Sequence, residues 1–257
     1  MLRNLSDRQV TAFDSSQWDQ RRVERWMRID DIKAVLSPYM LDNPTARFLD
    51  LGGGTGRFSD LLLATYESCS AVVADASELL LSRNQPHQRK TFLHVEASRL
   101  GDVLEPGSFD VIFAHRLLHH LVGDSYAESL ASIEAVLCQC AILLKPHGRL
   151  SVIENIWNGR FADGLAGRLL YYATSSRLLA PVTGRLGANT AGTGVCYLSD
   201  RILRRTLERT GFRVHTQQTL GAFRLPWYIR YPTLLKDARS AHYWCEIAQR
   251  PQPLLKE

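Results

Sequence analysis

Three histidines within six positions, His115, His119 and His120, and the later Glu154 are the side chains best suited to moving a proton. Histidine serves because its ordinary pKa, about 6.5, lies near working pH. A second group is suited to holding a ligand. Asp50, Gly52, Gly54 and Gly56 spell D-x-G-x-G-x-G, and Gly53 makes four glycines in five positions. Such a backbone turns tightly and lets a ligand come close. It follows a mostly apolar run, Ala46 to Leu51, and precedes a helical pattern with Phe58, Leu61, Leu62 and Ala64. A strand, a glycine turn and a helix in that order can bind a nucleotide at the carboxyl end of a first strand. The dinucleotide fingerprint G-x-G-x-x-G/A fails, because its last position is Arg57 or Ser59. No Gly-Lys pair follows to make a P-loop.

The elements that must position these groups read in sequence. Ser70 to Asp75 is a second strand, and it ends in an acid 23 residues after Gly52. At that distance a carboxylate can accept from both ribose hydroxyls of a nucleotide. Asp75 or Ser77 can equally cap a helix from Glu78 to Leu81, and the two roles are compatible. Thr91 to Val95 forms a third strand leading into Glu96-Ala97-Ser98. Phe109 to Ala114 forms a fourth, running straight into His115-Arg116-Leu117-Leu118-His119-His120-Leu121. A fifth strand follows the turn Leu144-Lys145-Pro146-His147-Gly148 and ends at Glu154. Ser199 caps a helix from Asp200 to Thr210, Gly211 stops it, and Phe212 to Thr216 and Ala241 to Ala248 are further strands.

These segments, in this order over roughly residues 45 to 155, resemble the class I S-adenosylmethionine (AdoMet) methyltransferases. The glycine turn is similar to their motif I. Phe109 to Leu121 resembles their "FDVV…LHHL" segment, and Leu144 to Leu150 resembles "LKPGGRL" with His147 in place of a glycine. The resemblance implies an α/β, doubly wound seven-stranded sheet of order 3-2-1-4-5-7-6, strand 7 antiparallel, with helices on both faces. It implies AdoMet as the cofactor, held by Asp50, Gly52, Gly53, Gly54 and Gly56, by Asp75 and neighbouring Ala76 at the ribose, by Glu96 and Ala97 at the adenine, and by His115. The sulfonium methyl is already electrophilic, so the protein must hold a nucleophile in line with it at near-attack distance. A hydroxyl, protonated amine or acidic carbon also needs a base. The base candidates are His119 and Glu154, with His115 third; "LHHL" also serves in the family to pack the helix where no base is needed.

Outside the core, residues 1–40, with Phe13, Trp18 and Trp26, read as an N-terminal helical lid or as core anchors on the sheet. Residues 41–154 are the AdoMet-binding core, 155–198 a substrate-lid insertion, and 199–257 the remainder of one domain. Within the insertion, Leu165, Leu169, Tyr172, Ser176 and Leu179 predict an amphipathic helix ended by Pro181. Tyr171 and Tyr172 suit either a substrate pocket or the core. The stretch Gly184 to Gly194, with four glycines, reads as a mobile loop.

A chain of 257 residues, 45% apolar, can bury one large core. Five scattered cysteines make no disulfide framework and suit a reducing cytoplasm, and Cys138 and Cys140 point to different helix faces, against a metal site. The amino terminus lacks an apolar signal core, and no uninterrupted apolar run approaches a membrane span. The net charge of +5 is partly carried by Arg201, Arg204, Arg205, Arg209 and Arg213, a solvated helix face or a docking patch for RNA. No aromatics interleave with it, and the Asn/Asp-Pro-Pro-aromatic motif of amino-methylating nucleic-acid enzymes is missing after strand four.

The expected partner is therefore a small-molecule methyl acceptor rather than nucleic acid, with a homodimer left open. Two other readings stand: an RNA or protein methyltransferase docking through residues 201–213, and a member of the fold that binds AdoMet without transferring methyl.

Overall fold

The structure, a computed structural model, describes residues 27–188 and 190–249. The lid aromatics Phe13, Trp18 and Trp26 lie outside the described residues. The chain runs α1 (Ile29–Asp42), β1 (Arg47–Leu51), α2 (Arg57–Thr65), β2 (Ser70–Asp75), α3 (Glu78–Leu81), β3 (Lys90–His94), α4 (Leu100–Val103) and β4 (Phe109–His115). It continues α5 (Tyr126–Leu143), β5 (Leu144–Gly159), α6 (Leu165–Ser175), α7 (Ala180–Arg185), α8 (Asp200–Arg209), β6 (Phe212–Ala222), α9 (Trp227–Arg230) and β7 (Leu235–Ile247). Single 3-10 turns, Ala97–Arg99 and Leu118–His120, follow β3 and β4.

These strands form one sheet of order β3-β2-β1-β4-β5-β7-β6. β1 to β5 are mutually parallel, and β7 is antiparallel to both β5 and β6. This is the topology that the resemblance implied. Its cause is legible in β1, β2 and β4, whose central residues are buried on both faces, as parallel strands between helix layers must be. One layer packs Ile32 and Leu36 of α1 and Phe58 and Leu62 of α2 on Phe48 and Phe113. The other packs Ile133, Val136, Leu137 and Cys140 of α5 on Leu49, Ile112 and Val152. α5 is long and apolar enough to cross a membrane, but it is the central helix of this second core layer.

Three local readings differ. The insertion helix stops at Ser175, and Pro181 lies at the start of α7 instead of ending α6, a position where its missing N–H costs nothing. α6 buries Ala166, Gly167, Tyr171 and Thr174, whereas Tyr172 is exposed. Gly167 decides this face: a Cβ there would collide with the Tyr197 carbonyl, so only glycine lets the backbones touch. The glycine-rich stretch meets α6 where Gly192 N–H donates to Thr174 O, and the segment after it is held by Cys196 N–H to His119 O and Trp157 N–H to Leu198 O. β6 and β7 also run longer than the sequence suggests, pairing from Phe212 with Ile247 to Ala222 with Arg239.

β5 and β7 extend beyond β4, whose last pairing is His115 with Ile153. Their extension carries a satellite cluster of Trp157, Ala166, Leu235 and Ala238, packed with Leu170, Tyr197, Leu225 and Ile229. The insertion and the β6–β7 connection therefore stand together over the carboxyl ends of the parallel strands.

Candidate active site

The glycine turn closes at the end of β1. Gly52, Gly54 and Gly56 have φ of 73°, 52° and 70°, a region that side-chain-bearing residues rarely adopt. At Gly53 the constraint is space, since a Cβ would press on the Asp50 carboxyl and on Val73. Asp75 holds the turn from below: it accepts from Gly54 N–H at 2.9 Å and Ser77 N–H at 2.8 Å. Ser77 rather than Asp75 caps α3, its hydroxyl accepting from Leu80 N–H at 3.3 Å. Ala76 follows Asp75, and its carbonyl lies 3.0 Å from His94 Nε2. Glu96 is exposed beside this edge and precedes the 3-10 turn that starts at Ala97. Asn84 closes the far side, donating to Gly54 O at 2.7 Å.

A recess opens in front of the turn, lined by Met27, Asp50, Gly52, Gly53, Phe58, His115, Arg116 and Ile153. Asp50 is buried and accepts from Ser59 Oγ at 2.8 Å. Burial, which the Ser59 bond only partly offsets, pushes its pKa up to about 7, and the neighbouring Asp75 charge adds to the rise. Positive-φ backbone, a nearly buried acid at the end of β2 and a recess with an acid on its wall fit a nucleoside carrying a cationic amino-acid tail, as AdoMet does.

The histidines separate into two clusters. His115 Nε2 lies 2.9 Å from Ser151 Oγ, which lies 2.9 Å from His242 Nε2. Burial lowers the His115 pKa well below its ordinary value and brings His242 down to about 4, so both stay neutral at working pH. His119 is instead paired with Glu154: Nδ1 lies 2.7 Å from Oε2, with both side chains buried. Glu154 also accepts from Leu118 N–H at 2.8 Å and Asn155 N–H at 3.1 Å. An ionised carboxylate can only accept, so in the neutral imidazole the His119 proton sits on Nδ1 and Nε2 keeps its lone pair. Two separate base candidates are thus one unit, a histidine whose tautomer and orientation the glutamate sets, and His115 lies outside it.

The structure adds residues that sequence reasoning missed. Arg116 adopts φ of 56°, lines the recess, and donates to Asn155 Oδ1 at 2.9 Å and Ser240 Oγ at 3.3 Å. Burial lowers its pKa, a shift that the nearby Glu154 charge opposes. Tyr197 stacks on Trp157 (centroids 4.8 Å, 3° between planes) and leans on His119 at 5.1 Å. Burial and the Glu154 charge push its phenol up to about 12. A left-handed arginine after a strand carries no sequence mark, and Tyr197 stands far along the chain from His119.

Residues 49–150 match a family model described as a methyltransferase domain. Residues 49–150 thus carry a methyltransferase domain. A highly reducing polyketide synthase of Pyrenophora dematioidea is 26% identical over 164 residues, 59% of this chain and 6% of that protein. A malonyl-[acyl-carrier protein] O-methyltransferase of Methylococcus capsulatus is 31% identical over 117 residues, 43% of this chain and 38% of that one. The methyltransferase domain thus corresponds to a limited part of these curated relatives. Among solved structures, the 1,6-didemethyltoxoflavin-N1-methyltransferase of Burkholderia thailandensis superposes with a TM-score of 0.55 over 97% of this chain and 94% of its own, at 17% identity. The geranyl diphosphate C-methyltransferase of Streptomyces coelicolor gives 0.54 over 85% and 81%, at 11% identity. At such identities these two share the fold.

Proposed function

We propose that the chain transfers the methyl group of AdoMet to a small, partly apolar acceptor that must lose a proton, an acidic carbon or a hydroxyl. The observation that carries this reading is the buried His119–Glu154 pair, which joins the 3-10 turn after β4 to the middle of β5, next in sequence to the recess residues His115, Arg116 and Ile153. AdoMet, when bound, supplies an electrophilic methyl group and leaves as S-adenosylhomocysteine. Asp50, Gly52, Gly53, Gly54, Gly56, Asp75, Ala76, Glu96, Ala97 and His115 are the residues proposed to hold it. His119 Nε2 takes the acceptor's proton, and Glu154 stabilises the imidazolium that forms. That charge is made next to a carboxylate in a dry site, where it is stabilised far more than in water.

The relatives named for polyketide synthesis and for malonyl-thioester methylation direct the choice of acceptor. A 3-oxoacyl thioester has an acidic carbon between two carbonyls and needs a base; a carboxylate does not. A panel of 3-oxoacyl and malonyl thioesters, phenols and carboxylic acids, read by S-adenosylhomocysteine release, tests the reading. Turnover confined to carboxylates would remove the base from the mechanism. No release from any acceptor, with tight AdoMet binding, would favour a non-methylating member of the fold. The RNA-docking alternative is weakened by the basic face itself: Arg204 pairs with Asp200, Arg209 with Glu134 and Arg213 with Glu246.

A further inference from the structure

The cap over the strand ends has a surface unlike the rest of the molecule. Among the described residues, fourteen large hydrophobic side chains are exposed, and ten of them lie in residues 155–199 and 223–237. They include Leu178 (91% exposed), Phe161 (76%), Trp227 (72%), Tyr231 (68%) and Val182 (55%). The same two segments hold seven basic residues against two acidic ones, Asp163 and Asp237. That net of +5 is the whole of the chain's formal +5. All seven basic residues are exposed, and among the described residues none belongs to an ion pair. The segments are joined physically: Arg160 N–H donates to Leu234 O at 2.8 Å, and Leu170 of α6 shares a cluster with Leu225 and with Ile229 of α9.

We propose that this cap docks on an anionic phospholipid surface, with the α7 apolar tips and the α9 aromatics in the interfacial layer and the arginines on the head groups. Charge selects an anionic occupant, and the type of apolar residue selects a lipid. Protein hot spots favour Trp, Tyr and Arg and under-use Leu and Val. Here Leu178 is the most exposed large hydrophobic side chain of the cap, and it and the exposed Leu179, Val182 and Leu186 alternate with Arg177 and Arg185, the combination of interfacial amphipathic segments. Trp227, Tyr228 and Tyr231 are of the types that sit at head-group level. No span is involved; the contact is superficial. The docked face is the one that stands over the strand ends, so an apolar acceptor would reach the site from the bilayer; that last consequence alone rests on the proposed methyl transfer.

The test is co-sedimentation of the full chain with vesicles, which needs no turnover. Vesicles of phosphatidylcholine alone should leave the protein in solution, and equal parts of phosphatidylcholine and phosphatidylglycerol should bring it down, less so as salt rises. Arg177→Gln with Arg185→Gln should weaken binding about fivefold for each arginine, about 25-fold for the pair. Leu178→Asp with Val182→Asp should abolish it, while AdoMet affinity and the melting midpoint stay as in the parent. Wild-type protein that ignores anionic vesicles, or variants that bind them as the parent does, would overturn the proposal. So would a dimer, seen by light scattering, that the Leu178/Val182 variant breaks in the absence of vesicle binding: the face would then belong to a second copy. Salt-sensitive capture of an acidic acyl carrier protein without lipid binding would likewise assign it elsewhere.

Discussion

Replacing Glu154 by Gln should lower turnover by about 10²–10⁴-fold at unchanged AdoMet affinity. The magnitude follows from the hydrogen bonds. Glu154 accepts from Leu118 N–H through Oε1, and from His119 Nδ1 and Asn155 N–H through Oε2. Glutamine offers one acceptor oxygen and one amide donor. With its oxygen toward Leu118, its NH₂ faces His119 and forces Nδ1 to accept, which moves the imidazole proton to Nε2. The base is then lost because the wrong nitrogen carries the proton. With its oxygen toward His119, the NH₂ opposes the buried Leu118 N–H, at a cost of about 1–3 kcal/mol in stability. Glu154→Ala is a poorer probe, since it strands three donors at once, two of them buried. The assay is S-adenosylhomocysteine release under saturating acceptor, with AdoMet affinity measured by calorimetry. His119→Ala should lose as much, and the double variant little more than either, because the two act as a unit. Turnover of Glu154→Gln within threefold of the parent across the pH range would refute the argument.

Asp75→Ala should weaken AdoMet binding more than tenfold, worth at least ~1.4 kcal/mol, and should also lower the melting midpoint, because Gly54 and Ser77 N–H lose their acceptor. Asp75→Asn keeps an acceptor for one of them, so calorimetry on it separates the ribose contact from the turn's stability; an unchanged dissociation constant in both would remove Asp75 from the site. AdoMet affinity should rise with pH up to about 7 and level off above it, since Asp50 must ionise to face a cationic ligand, and Asp50→Asn should flatten the profile. The same raised pKa means that the free native state holds a proton which the unfolded chain releases, so ligand-free stability should fall as pH rises from the ordinary carboxylate range to about 7 in urea titrations. Gly56→Val should unfold or badly weaken the turn, because φ of 70° disfavours a side chain and Asn84 fills the space; a normal melting midpoint would contradict this.

The glycine turn, Asp75 and both members of the proposed base pair could be picked out in the chain, because each lies in a motif whose spacing is local, and the strand order followed from the family resemblance that those motifs carry. Ser199 as a helix cap is a case in point: its hydroxyl meets Ile202 N–H three residues on. Which groups meet across the sheet was not legible. His119 and Glu154 stand 35 residues apart and touch only because β4 and β5 pair in register at His115 and Ile153. His115 leaves that pair because it reaches Ser151 and His242, the latter delivered by antiparallel β7. Helix periodicity alone did not fix the buried face of α6: Leu165 and Leu169 are half-buried and Tyr172 is exposed. The contact of Gly167 with the backbone at Tyr197 decided the orientation, and that contact exists only once the later segment has folded across β5. Local spacing sets which elements form; burial, register and close backbone approach, all properties of the packed sheet, set which side chains share a site.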